Sequence, residues 1–84
     1  MHGLDDGLVP VAFTSRPYVA AARANGAKLA YWQVRRAQHF DAFLAVPAMR
    51  ARYRALLPHA YEAMDAVWAM LAEGGPTPVD RTID

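Results

Sequence analysis

Only one stretch of this chain, Leu29 to Val34, reads as a β-strand, and one strand cannot make a sheet. The stretch is short, carries Tyr31, Trp32 and Val34, and runs into the polar segment Arg35-Arg36-Ala37-Gln38-His39. Its backbone N–H and C=O groups need partners on both sides, which the rest of the sequence does not obviously offer. What precedes it is a helix. Ser15 reads as the cap, Pro17 suits the first turn, and Ala20-Ala21-Ala22-Arg23-Ala24 are strong helix formers. Asn25-Gly26 supplies the left-handed stop. A helix followed by one strand is the second half of a β–α–β unit whose first strand would lie before Met1. The expected class is α/β, and the chain reads as a fragment, incomplete alone.

The remaining segments are loop and helix. Residues 1–14 form a loop with a short apolar stretch, Leu8 to Phe13, interrupted by Pro10; the helix covers 15–26, the strand 28–35 and a second loop 36–46. A helical region spans 47–73, broken or kinked near Pro58, and Gly74-Gly75-Pro76 ends it before a tail at 74–84. Ala60, Met64, Val67, Trp68 and Leu71 recur at three- and four-residue steps, which makes one apolar face. That face, with Tyr61 and Met70, is expected to pack as core against Tyr31 or Val34.

Composition bounds the function classes. Eighty-four residues make at most one small domain, and such a chain buries only about 60% of its unfolded surface. At 55% hydrophobic and 20% charged residues it can still build a core rather than remain disordered. A net charge of +1 gives no field that would draw nucleic acid or an anionic membrane, and Arg35, Arg36, Arg50, Arg52 and Arg54 read as a solvated face. No run approaches the roughly 18 apolar residues of a spanning helix. With no cysteine there is no disulfide scaffold and no thiolate metal site. The first residues carry two acids and two glycines and do not read as a signal peptide.

Chemistry concentrates at two places. His39 lies on a loop leaving the carboxyl end of a strand, where α/β sheets place catalytic groups, and a histidine there can take and return a proton near neutral pH. The competing reading is a surface histidine capping a backbone group. Asp6 is the candidate acid, able to hold one imidazole nitrogen and stabilise the imidazolium. Asp5 and Asp6 beside glycines also read as plain turn residues. Spacing favours Asp6, since it completes H-G-x-x-D and D-x-x-V-P together; Asp5 is the runner-up. Acid then base, 39 − 6 = 33 residues apart, follows the Ser, Asp, His chain order of α/β-hydrolases. The nucleophile is missing: Ser15 is the only serine and lies in no G-x-S-x-G elbow. His2 and His59 are single histidines without a second ligand at metal spacing, so no metal or cofactor is expected, and His59 is placed on the last helix's surface. Asp41 is read as a cap or as an orienter of the loop.

The phrases Asp6-Gly7-Leu8-Val9-Pro10-Val11-Ala12-Phe13-Thr14-Ser15-Arg16-Pro17-Tyr18, Tyr31-Trp32-Gln33-Val34-Arg35, Ala37-Gln38-His39-Phe40-Asp41-Ala42-Phe43-Leu44 and Leu56-Leu57-Pro58 carry a more specific likeness. Over nearly all of residues 2–79 the chain resembles the C-terminal end of the D-(−)-3-hydroxybutyrate oligomer hydrolases. That resemblance implies the last piece of an α/β-hydrolase fold, with acid loop, helix, last strand, His loop and C-terminal helices. It implies a serine esterase that cleaves 3-hydroxybutyrate dimers and short oligomers during polyhydroxybutyrate breakdown. His39 matches the base of a Ser-His-Asp triad, and Asp6 its acid. The partner implied is the upstream part of the enzyme, bearing nucleophile and oxyanion hole, and the chain alone is expected to be inactive. The implied compartment is extracellular, with cytoplasmic as the alternative. Two other readings compete, a different α/β-hydrolase such as a lipase or peptidase, and a non-catalytic helical module docking through its last helix. An adaptor needs neither Asp6 nor His39.

Overall fold

A computed structural model describes all of residues 1–84. Instead of one strand it holds a three-stranded parallel sheet, ordered β1-β2-β3. Strand β1 is His2–Gly3, β2 is Trp32–Val34 and β3 is Arg81–Ile83. His2 and Gly3 pair with Gln33 and Val34, and Arg81, Thr82 and Ile83 pair with Trp32, Gln33 and Val34. Three expectations are corrected here. Part of the 1–14 loop is a strand, so is part of the 74–84 tail, and the first strand of the β–α–β unit is β1 rather than a segment before Met1. Strands of two or three residues have no visible period, which is why the sequence hides them.

The β3 end is tied down by side chains rather than by apolar burial. The Asp80 carboxylate accepts the Tyr31 N–H at 2.8 Å and the Arg23 guanidinium at 2.6 Å. The Trp32 indole N–H donates to the Val79 carbonyl at 2.9 Å, and the Arg81 guanidinium lies 4.5 Å from the centre of the Trp32 ring.

Helix α1, Ser15–Ala24, carries the crossover from β1 to β2, as two parallel neighbours require. It ends in a Schellman arrangement: Gly26 sits at φ 85°, its N–H reaches the Arg23 carbonyl, and the Ala27 N–H reaches that of Ala22. Ser15 does not cap it. Thr14 holds the cap position, and the Ser15 hydroxyl hydrogen-bonds the Tyr31 hydroxyl, joining α1 to the segment entering β2. The small core is Val11, Val19, Tyr31, Trp32, Val34 and Ala37.

The helical region splits as its prolines dictate, into α2 (Pro47–Arg52) and α3 (Leu57–Glu73), each with proline in the first turn. Gly74, at φ 66°, stops α3. The apolar face of α3 is not core. Tyr61, Met64, Val67, Trp68 and Leu71 are exposed, and Met70 is half-buried. The helix was long enough to show its period; nothing in these residues covers the stripe. No helix is long and apolar enough to cross a membrane.

Candidate active site

The acid turn begins where β1 ends. The Asp6 N–H closes back on the Gly3 carbonyl at 3.3 Å, and Asp6 Oδ1 accepts the N–H groups of Leu8 (3.0 Å) and Val9 (2.8 Å). A short carboxylate reaching two and three residues along its own chain is what favours Asp in such turns. The second oxygen faces inward. Oδ2 accepts His39 Nδ1–H at 2.7 Å and His2 Nε2–H at 3.1 Å.

The loop carrying His39 is stitched to this turn at several points. Arg36, at φ 56°, turns the backbone as it leaves β2, and Ala37 follows, fully buried. The Leu4 N–H donates to the Val34 carbonyl (2.8 Å), the Asp5 N–H to the Ala37 carbonyl (3.1 Å), and the Gly7 N–H to Gln38 Oε1 (3.1 Å). Gly3 permits this approach, since a Cβ there would lie 2.4 Å from the Ala37 carbonyl oxygen. Beyond His39, the Asp41 carboxylate accepts the Leu56 and Leu57 N–H groups at 2.6 and 2.8 Å. Asp41 thus caps the start of α3 and anchors the loop at the same time.

Partners fix the protonation pattern. Burial alone would push the Asp6 carboxyl up, but the N–H of Val9, the His39 imidazole and the N–H of Leu8 together hold it below the ordinary carboxylate value of 3.8. Asp6 is therefore an anion at neutral pH, and His39 meets it with a proton on Nδ1. No protein group bonds His39 Nε2, so the neutral ring carries its basic lone pair there. The Asp6 side chain is 2% exposed and that of His39 is 34% exposed, a fixed acid behind an accessible base. Beside the ring lies a groove of about 270 Å³ lined by Met1, Phe40, Asp41, Leu56, Leu57 and Ala60. The Phe40 ring meets the imidazole edge-on, centroids 4.4 Å apart.

The structure therefore brings Asp6 and His39 together and leaves Asp5 out, exposed and with its carboxylate bonded to no protein group. His59 stands 3.5 Å from Glu62 on α3. The only hydroxyl of a serine, that of Ser15, is engaged by Tyr31. Sequence reasoning missed His2, weighed only as a metal ligand, and Gln38. The signal for His2 was the H-G-x-x-D spacing itself.

A family model described as 3HB-oligomer hydrolase (3HBOH) matches residues 1–84. A D-(-)-3-hydroxybutyrate oligomer hydrolase of Paracidovorax citrulli (strain AAC00-1) is 44% identical over 90 residues, covering 99% of this chain and 13% of that protein. Proteins of the same name from Burkholderia mallei (strain SAVP1) and Burkholderia pseudomallei (strain 668) are 37% identical over 86 residues, covering 99% of this chain and 12% of each. The chain spans about one-eighth of the length of these relatives. No solved structure matches.

Proposed function

This chain belongs to the 3HB-oligomer hydrolase family, and from that premise we propose that it supplies the acid and the base of a serine esterase cleaving 3-hydroxybutyrate dimers and short oligomers. The observation that carries the reading is the 2.7 Å bond from His39 Nδ1 to a buried, ionised Asp6 whose partner imidazole keeps Nε2 free. Acid and base follow adjacent parallel strands, the arrangement of an α/β-hydrolase's closing segment.

In this reading His39 Nε2 takes the hydroxyl proton of a serine held outside these residues as that oxygen attacks the ester carbonyl. The tetrahedral intermediate collapses, the C–O bond to the leaving hydroxybutyrate breaks, and His39 hands its proton to the departing oxygen. A water then adds to the acyl-enzyme by the same route and releases the acid. Asp6 holds the imidazolium through each half. The apolar groove beside His39 suits the methyl-bearing chain of such an ester. The exposed face of α3 favours a second reading, a helical docking module, which would leave the Asp6–His39 pair without a task.

The test is a graft. Residues 1–84 replace the matching segment of the Paracidovorax citrulli hydrolase, and hydrolysis of 3-hydroxybutyrate dimer is followed. An active graft should lose about 10⁴-fold in kcat on Asp6→Asn and up to about 10⁶-fold on His39→Gln. A graft that retains its rate with His39→Gln is incompatible with the proposal.

A further inference from the structure

We propose that His2 is a positioning residue that sets the rotation of the Asp6 carboxylate, so that Oδ2 meets the His39 Nδ1–H; this rests on Asp6 and His39 being the acid and base. A carboxylate turns easily about its last torsion, which has no sharp staggered wells. Two backbone N–H groups hold Oδ1. Oδ2 is held only by imidazoles, and one of them, His39, is one-third exposed on a loop. His2 differs. It sits on β1, its side chain is 11% exposed, and its Nε2 lies 3.1 Å from Asp6 Oδ2 and 2.8 Å from the Val9 carbonyl.

A carbonyl can only accept, so the Val9 contact requires the His2 proton on Nε2. No other protein donor reaches that carbonyl. One N–H is thereby shared between the acid and the backbone three residues beyond it. The bond to Val9 keeps the His2 ring from swinging, and the ring in turn closes the second side of Oδ2. A residue that merely filled space would not need a donor at that atom.

The experiment reads the His39 tautomer by long-range proton–nitrogen correlation on the ¹⁵N-labelled 84-residue chain, at concentrations where light scattering gives a monomer. The Trp32 indole N–H, bonded to Val79, marks the fold. The unaltered chain should show His39 as the Nδ1–H tautomer, the minority form of free histidine. A Gln amide reaches about as far as imidazole Nε2, whereas an Asn amide reaches only as far as Nδ1. His2→Gln should therefore keep the Nδ1–H signal, and His2→Asn should lose it while keeping the Trp32 marker. If His2→Asn loses the marker as well, His2→Phe, which fills the space without a donor, is read in its place. Retention of the His39 signal in the donor-short variant, or its loss in His2→Gln, overturns the proposal for His2 and leaves the Asp6–His39 pair standing. An unaltered chain without the signal, or an Asp6→Asn chain that keeps it, overturns the pair itself.

Discussion

At the scale of single residues the site turns on how many donors one carboxylate accepts. Asp6 receives two backbone N–H groups and two imidazoles on a side chain 2% exposed. In Asp6→Asn, Oδ1 can still serve Leu8 and Val9, but the amide N–H₂ then faces two ring N–H donors. We expect a loss of about 1–3 kcal/mol, the range for stranding buried polar groups, read from a denaturant melt. The pH dependence follows from the same bonds. A carboxyl held below 3.8 in the folded chain stabilises it fully above that value, and the contribution fades as pH falls through the lower folded value. The melting temperature should therefore drop below about pH 4 and drop less steeply in Asp6→Asn. Glu62, lowered by the Arg81 guanidinium, and Asp80, lowered by the Tyr31 N–H and Arg23, titrate in the same window but at the surface, so salt should shrink their share and not that of Asp6. The sequence placed Asp6 and His39 as candidates because turn chemistry and chain order are local signals. For His2 the H-G-x-x-D spacing signals the contact with Asp6, but its second partner, the Val9 carbonyl, is a backbone atom that no residue pattern names.

Secondary elements show where local signals stop. Helix α1 could be read from its alanines and its Asn25-Gly26 stop, and the break between α2 and α3 from Pro47 and Pro58. Strands β1 and β3 could not, because they exist through pairing with β2 rather than through their own composition. Gly3 illustrates the dependence. Its two-residue strand approaches the His39 loop so closely that an added Cβ would sit 2.4 Å from the Ala37 carbonyl oxygen and 2.8 Å from its carbon. Neither atom belongs to a side chain that can swing away. Gly3→Ala should force β1 and the loop apart, speeding amide exchange at Leu4 and Asp5, whose N–H groups bond Val34 and Ala37. Unchanged exchange at those two amides would mean that the close approach does not hold the acid turn in place. The α3 stripe teaches the opposite lesson: its period was legible, yet period reports a face and not what covers it. Leu71, 74% exposed, should tolerate Ala within about 0.5 kcal/mol. Val34, fully buried, should cost about 2 kcal/mol on the same change.

Taken as a whole molecule, the chain leaves much of its apolar surface in water. Eight of 84 residues are buried, while Tyr61, Met64, Val67, Trp68 and Leu71 stand exposed along one helix. Contiguous apolar patches of this kind mark surfaces that associate. The β1 side of the sheet has no further strand beside it, an open edge that is only two residues long. Of these two surfaces, the helix face is the larger and the more apolar. We therefore expect the isolated chain to self-associate through α3, with an apparent mass by light scattering that rises with concentration. Trp68→Lys with Leu71→Lys should suppress that rise and leave the melting temperature unchanged at concentrations where both chains are monomeric, because neither side chain is part of the core. In the associated and the monomeric form alike, hydrolysis of a short-chain nitrophenyl ester should stay at background. The Asp6–His39 pair is formed, but the Ser15 hydroxyl is bonded to Tyr31 and no other serine or cysteine is present. Turnover that disappears in Ser15→Ala would show that this serine leaves Tyr31 to meet His39, and would put the nucleophile inside these 84 residues.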